Sequence, residues 1–106
     1  MLLNVDPHHW LDEDGTYPDS HPQLWKKLDR VGLFISFGCD LQPLHGRATV
    51  AKCKARGCGC SMFVARTGDD RLLAFCPVCA KEEMLISNWR STFWAEDRLT
   101  SEVVLR

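Results

Sequence analysis

No stretch of this chain approaches the roughly 20 consecutive apolar residues that a membrane-crossing helix needs. The opening Met1-Leu2-Leu3-Asn4-Val5-Asp6-Pro7 lacks the basic start and apolar run of a secretory signal. The expectation is a cytoplasmic protein with no membrane contact. Lys and Arg are missing from residues 1–20, which carry Asp6, Asp12, Glu13, Asp14 and Asp19. Acids are missing in turn from residues 47–68, which carry Arg47, Lys52, Lys54, Arg56 and Arg66. The formal net charge of −1 excludes a general attraction to polyanions. Its uneven distribution leaves two segments able to attract each other or to contact separate partners. Internal repeats, low-complexity tracts and heptads are also absent, which argues against solenoids and coiled coils.

What is present fits one compact domain spanning residues 1–106, too short for two ordinary ones. So small a core gains much from a staple. Six cysteines are available for one, and in a reducing compartment closely spaced cysteines are more often metal ligands than disulfide partners.

Residues 1–20, broken by Pro7, Gly15 and Pro18, read as an irregular acidic arm laid on the domain by Trp10 and Tyr17. Ser20-His21-Pro22-Gln23 has the form of a capping box with proline in the first turn. Leu24, Leu28, Val31 and Ile35 then form one apolar stripe, and Gly38 suits a left-handed stop, which predicts a helix over residues 21–37. Gly32 weakens that helix by about 1 kcal/mol relative to Ala. A helix ending near Arg30, followed by a buried strand from Leu33 to Phe37, is the alternative. Arg47 to Lys52, Ser61 to Arg66, Arg71 to Phe75 and Met84 to Trp89 read as strands, with Thr67-Gly68-Asp69-Asp70 as a hairpin turn.

The strongest signal is Cys53-Lys-Ala-Arg-Gly-Cys58-Gly59 followed by Cys76-Pro77-Val78-Cys79-Ala80, each pair at a strand end. Residues 59–75 leave room between the pairs for one hairpin and nothing larger. Two tight turns of this kind present two sulfurs each, closing a tetrahedral site with Zn–S distances of about 2.3 Å. Small residues at Gly59 and Ala80 let backbone amides turn toward the sulfurs and stabilise their charge. Cys60 competes with Cys58, and Cys58 is preferred because a glycine follows it. Four protein ligands leave no open position for water or substrate, so one structural Zn²⁺ and no catalysis is expected.

From about Arg47 to Trp89 (residues 47–89) this arrangement resembles the zinc ribbon family. The Cys76–Cys79 knuckle is close to the family pattern, while the first knuckle departs from the usual two-residue gap. The resemblance implies an α+β fold, with a small antiparallel sheet of three to four strands built around the two knuckles and one N-terminal helix packed on it. The chain is also similar to small bacterial ribbon proteins through His8-His9-Trp10-Leu11-Asp12-Glu13-Asp14-Gly15 and Ile86-Ser87-Asn88-Trp89. That likeness implies an integrated ribbon and no particular activity.

Other residues carry weaker signals. His8 and His9 lie among carboxylates, yet adjacent side chains of an extended arm point apart, so a solvated arm is the simpler reading. Cys39, His45 and His21 have no recognisable set of co-ligands. The bases Arg47, Lys52, Lys54, Arg56 and Arg66 suit either a phosphate backbone or a solvated, internally paired face. Trp89, at the end of the last strand, and Phe93 and Trp94, in the aromatic-rich tail of residues 90–106, suit either a core or a partner surface, with core the commoner use.

Two functions follow. The first is a non-enzymatic zinc module that binds a protein or a nucleic acid, with no small-molecule substrate. The second is a redox dithiol at Cys76-Pro-Val-Cys79, whose lowered thiol pKa would support disulfide exchange. The motif's late position argues against it, because too little chain follows for the usual long helix and sheet.

Overall fold

The computed structural model describes residues 2–79 and 83–95, with Leu2 described by its backbone alone. Five strands form one sheet: β1 (Leu2–Val5), β2 (Gly46–Lys52), β3 (Ser61–Arg66), β4 (Leu72–Phe75) and β5 (Glu83–Ile86). Their spatial order is β1-β5-β4-β3-β2. The pairs β2–β3, β3–β4 and β4–β5 are antiparallel, whereas β1 runs parallel to β5 with Val5 opposite Ile86. The class is therefore α+β, but the sheet is a five-stranded mixed one and not the three to four antiparallel strands expected. The strand that the sequence reading missed is β1, inside what was expected to be an irregular arm.

Alternation along the strands decides which face is covered. Met62 and Val64 of β3, Leu72 and Ala74 of β4, and Ile86 of β5 are fully buried. The one long helix among the described residues, α1 (Trp25–Gly38), packs against β2, β3 and β4, with Leu28, Val31, Phe34 and Ile35 buried. Of the predicted stripe Leu24, Leu28, Val31 and Ile35, the last three form the buried face of α1, whereas Leu24 is half-buried in the 3-10 turn before it.

The helix begins later than predicted. Pro22–Leu24 forms a 3-10 turn, no side chain caps α1, and the Ser20 hydroxyl lies 3.1 Å from His21 Nδ1. Trp25 Nε1 instead ties the approach to the Pro18 carbonyl at 2.9 Å. Gly38 is the last helical residue and not a left-handed stop. A Cβ there would sit 3.0 Å from Leu72 and 3.1 Å from Val64, so glycine lets the helix end approach the sheet. Gly32 has the same kind of reason: a Cβ would fall 2.2 Å from the Trp94 ring.

The arm is tied to the residues after β5. Asn88 Nδ2 donates to Asp6 at 2.7 Å, and His8 Nε2 lies 2.7 Å from Ser91 Oγ and 3.1 Å from the Asn88 carbonyl oxygen. Tyr17 packs its ring against Trp25, Phe93 and Trp94 and donates its hydroxyl to Asp29. Burial, followed by that carboxylate, pushes the Tyr17 phenol up from its ordinary value.

At the β3–β4 turn, Thr67 N donates to the Arg71 carbonyl at 2.8 Å, closing the predicted hairpin, and Asp70 adopts a left-handed φ of 66°. Asp70 accepts from Arg66 at 2.6 Å and from Arg90 Nε at 2.5 Å, while its carbonyl accepts from Trp89 Nε1 at 2.8 Å. Trp89 is fully buried beneath these guanidinium groups. No helix among the described residues is long and apolar enough to cross a membrane.

Candidate metal centre

The first cysteine pair sits in the loop joining β2 to β3. Cys53 N donates to the Cys60 carbonyl at 2.8 Å, closing the loop's neck, and Cys58 N donates to the Ala55 carbonyl at 3.0 Å inside it. Gly57 and Gly59 flank Cys58 at φ values of 80° and 70°, in the left-handed region that a Cβ disfavours. Among the described residues nothing would crowd a Cβ at either glycine, and it is the backbone conformation that calls for them. The neck is shaped further back by buried Thr49, whose hydroxyl donates to the Met62 carbonyl at 2.8 Å and accepts from Ala51 N where the β2–β3 register shifts.

The second pair follows β4. Cys76 is buried at 1% exposure, Cys53 at 5%, and Cys58 and Cys79 are half-buried. One ligand atom from each of the four lies within 4.8 Å of the others. Two of the approaches cross between the turns: Cys53 to Cys79 at 3.6 Å and Cys58 to Cys76 at 3.5 Å. Sulfurs bound about 2.3 Å from one tetrahedral centre are about 3.8 Å apart, so the cluster already has the size of a four-thiolate metal site. All six cysteines are free thiols, at distances well beyond the S–S bond of about 2.05 Å.

The backbone prepares this cluster for thiolate charge. The Cys79 amide, then that of Val78, donates to the Cys76 sulfur and pulls its pKa down to about 6. The Ala55 amide acts in the same sense on Cys53, but burial and the thiols of Cys79, Cys58 and Cys76 outweigh it and push that group up to about 12. Amides favour negative charge on one member, and proximity opposes its accumulation on all four. A bound cation relieves that opposition, because it removes the protons and compensates the charge. The four cysteines can therefore hold a metal ion.

Cys60 does not join them; its Sγ faces the Cys58 carbonyl oxygen at 4.0 Å. Cys39 is buried below the helix end, its Sγ 3.8 Å from the Ser36 carbonyl. Compared with known protein families, with curated proteins and with solved structures, the chain shows no match.

The basic residues picked out by sequence separate into two groups. Arg47 meets Asp40 at 3.2 Å and Arg66 is held by Asp70 and the Leu41 carbonyl, both at the hairpin end of the sheet. Lys52, which donates to Ser61 Oγ at 3.0 Å, lies with Lys54 and Arg56 at the cysteine end. Trp89 is interior and offers no surface, and Trp94 is half-buried against Gly32. Asp12 is engaged by Thr16 of its own loop, whose amide and hydroxyl hold its carboxyl below its usual value.

The sequence reading missed a basic grouping around Lys54. It lines a hollow with Lys26, Lys27 and Arg30 of α1. The i,i+4 spacing of Lys26 and Arg30 on the helix's polar side was the available signal.

Proposed function

We propose that this protein is a non-enzymatic zinc-binding module of zinc ribbon type, whose Cys53, Cys58, Cys76 and Cys79 hold one structural Zn²⁺, and that it serves an interaction with another macromolecule. The observation that carries the reading is the convergence of four free thiols from two strand-end turns to within 4.8 Å. All-sulfur donors favour a soft or borderline ion, and a four-thiolate tetrahedron is characteristic of structural zinc and of iron–sulfur sites. The cluster has the size for a single ion, which fits zinc and not a multi-iron cluster.

Such a site adds folding free energy on the order of 10 kcal/mol. With every coordination position taken by sulfur, it gives substrate no place at the metal. The cross-turn contacts also weigh against the dithiol reading. Cys76 meets Cys58 and Cys79 meets Cys53, each across the turns, whereas disulfide exchange within Cys76-Pro-Val-Cys79 needs Cys79 as the resolving partner of Cys76.

Native mass spectrometry of protein from a zinc-replete host tests the assignment, with cobalt substitution reporting four-thiolate coordination through its visible absorption. One zinc per chain is expected, lost in Cys76→Ser. Folded protein without metal, or reduction of a test disulfide that depends on Cys76, overturns it.

A further inference from the structure

The loop joining β2 to β3 carries three cysteines, of which Cys53 and Cys58 belong to the four-sulfur cluster and Cys60 does not. Solvent reaches the cluster unevenly. Cys53 and Cys76 are buried, whereas Cys58 and Cys79 are half-buried. Cys60 is half-buried too, with its Sγ 4.0 Å from the Cys58 carbonyl oxygen. We propose that Cys58 and Cys60 form an oxidative modification site, at which hydrogen peroxide closes a Cys58–Cys60 disulfide and so takes Cys58 away from the metal.

Three observations support that pairing. The first is reach. Only Gly59 separates the two cysteines, so their Cα atoms are at most about 7 Å apart, and a disulfide spans about 4.4–6.8 Å. The second is room. Gly57 and Gly59 bracket Cys58 at left-handed φ values of 80° and 70°, and no described atom comes within 4 Å of a Cβ built at either, so the turn is uncrowded where Cys58 has to swing. The third is commitment. Cys76 faces Cys58 at 3.5 Å, but its sulfur is a ligand when the ion is bound, and a Cys58–Cys76 bond would remove two ligands at once. A bond to Cys60 removes one.

The chemistry balances with the peroxide as sole oxidant. The Cys58 thiolate attacks a peroxide oxygen, the O–O bond breaks, and Cys58 becomes a sulfenic acid while the departing hydroxide takes a proton from solvent. The Cys60 sulfur then attacks the Cys58 sulfur, the S–O bond breaks, and the released hydroxide leaves as water with the Cys60 proton. Two electrons pass from the thiol pair to the peroxide, giving one disulfide and two waters. Three cluster thiolates remain, and the β2–β3 loop loses one of its two ties to the turn after β4. A thiol reductant reverses the bond, so the pair acts as a switch on the clamp and protects Cys58 from irreversible oxidation.

This inference deepens the zinc reading and rests on it for its consequence, the loss of the ion, but not for the identity of the sulfur pair. The test treats the full zinc-loaded chain with hydrogen peroxide, follows released zinc with a coloured chelator, blocks remaining thiols with N-ethylmaleimide and digests with trypsin. Cleavage after Arg56 and Arg66 leaves Cys58 and Cys60 as the cysteines of peptide 57–66, while Cys76 and Cys79 share peptide 72–81. Peptide 57–66 is expected unlabelled and about 2 Da lighter than its dithiol form, appearing in step with zinc release. Dithiothreitol and added zinc should then restore the loaded protein. In Cys60→Ser, first matched to the unaltered chain in metal content and melting temperature, that recovery should fall about ten-fold or more as Cys58 advances to sulfinic acid. Cys39→Ser should recover fully. Peptide 57–66 cross-linked to 72–81, a bond within 72–81, or full recovery in Cys60→Ser overturns the proposal. Protein purified without zinc that still forms the Cys58–Cys60 bond removes the zinc assignment and leaves the sulfur pair standing; zinc-loaded protein whose peptide 57–66 keeps both thiols under peroxide does the reverse.

Discussion

Cys58 and Cys60 lie two residues apart and differ in placement because of the glycines around the first of them. With Gly57 and Gly59 both left-handed, the chain turns Cys58 toward Cys76 and leaves Cys60 facing a carbonyl. Cys58→Ser should therefore abolish stoichiometric zinc, whereas Cys60→Ser should retain it; a metal assay on the two purified variants distinguishes them. The place of Cys58 in the cluster is legible from the glycine that follows it, while the left-handed Gly57 before it shows only in the backbone. Asp70 makes the other residue-level case. The Arg90 guanidinium, joined by that of Arg66, holds its carboxyl below its ordinary value. A depressed carboxyl stabilises the fold above its unfolded pKa of about 3.9, and the contribution fades only as pH falls through the lower folded value. Asp70→Asn keeps a side chain that tolerates positive φ and should cost about 1 kcal/mol, since the carboxylate is 42% exposed and partly screened. Urea denaturation should give the same penalty at pH 7.5 and pH 5.5; a penalty that shrinks by pH 5.5 would contradict the ionisation argued here.

At the level of elements, strong local patterns were readable and distant pairings were not. The stripe Leu28-Val31-Ile35 identified the helix face, and the runs ending at Lys52, Arg66 and Phe75 marked strands to within a residue, because alternation there is enforced by burial on one side. The strand Leu2–Val5 has four residues, no alternation and a parallel partner far away in sequence, so nothing local marks it. The capping box failed because Pro22 opens a 3-10 turn that delays the helix beyond Ser20's reach. Gly32 looked like a defect and is a site of close approach. Alanine in an exposed helix interior normally gains about 1 kcal/mol over glycine. Here Gly32→Ala meets the Trp94 ring and should instead destabilise by about 1–3 kcal/mol. A thermal melt showing gain would mean that Trp94 does not lie on the helix.

For the molecule as a whole, the two cysteine turns join β2 to β3 and follow β4, so one ion would clamp three of the five strands. Excess strong chelator should then cost on the order of 10 kcal/mol and unfold the sheet together with the helix it supports. Far-ultraviolet circular dichroism during chelator titration should show one cooperative loss, reversed by adding zinc; retained signal after complete metal removal would show that the core stands without it. The thiol cluster was legible because its spacing is a local property of two turns. The cationic hollow was not, since Lys54 meets Lys26, Lys27 and Arg30 only once α1 lies across the end of β2.

The parallel edge pairing has a bearing on biosynthesis. Of the sheet's strands, Leu2–Val5 is made before the other four and Glu83–Ile86, the neighbour it docks on, after them. Until then the early strand has no seat. A growing chain can complete both cysteine turns and the central hairpin before β1 is captured, so its docking closes the sheet last.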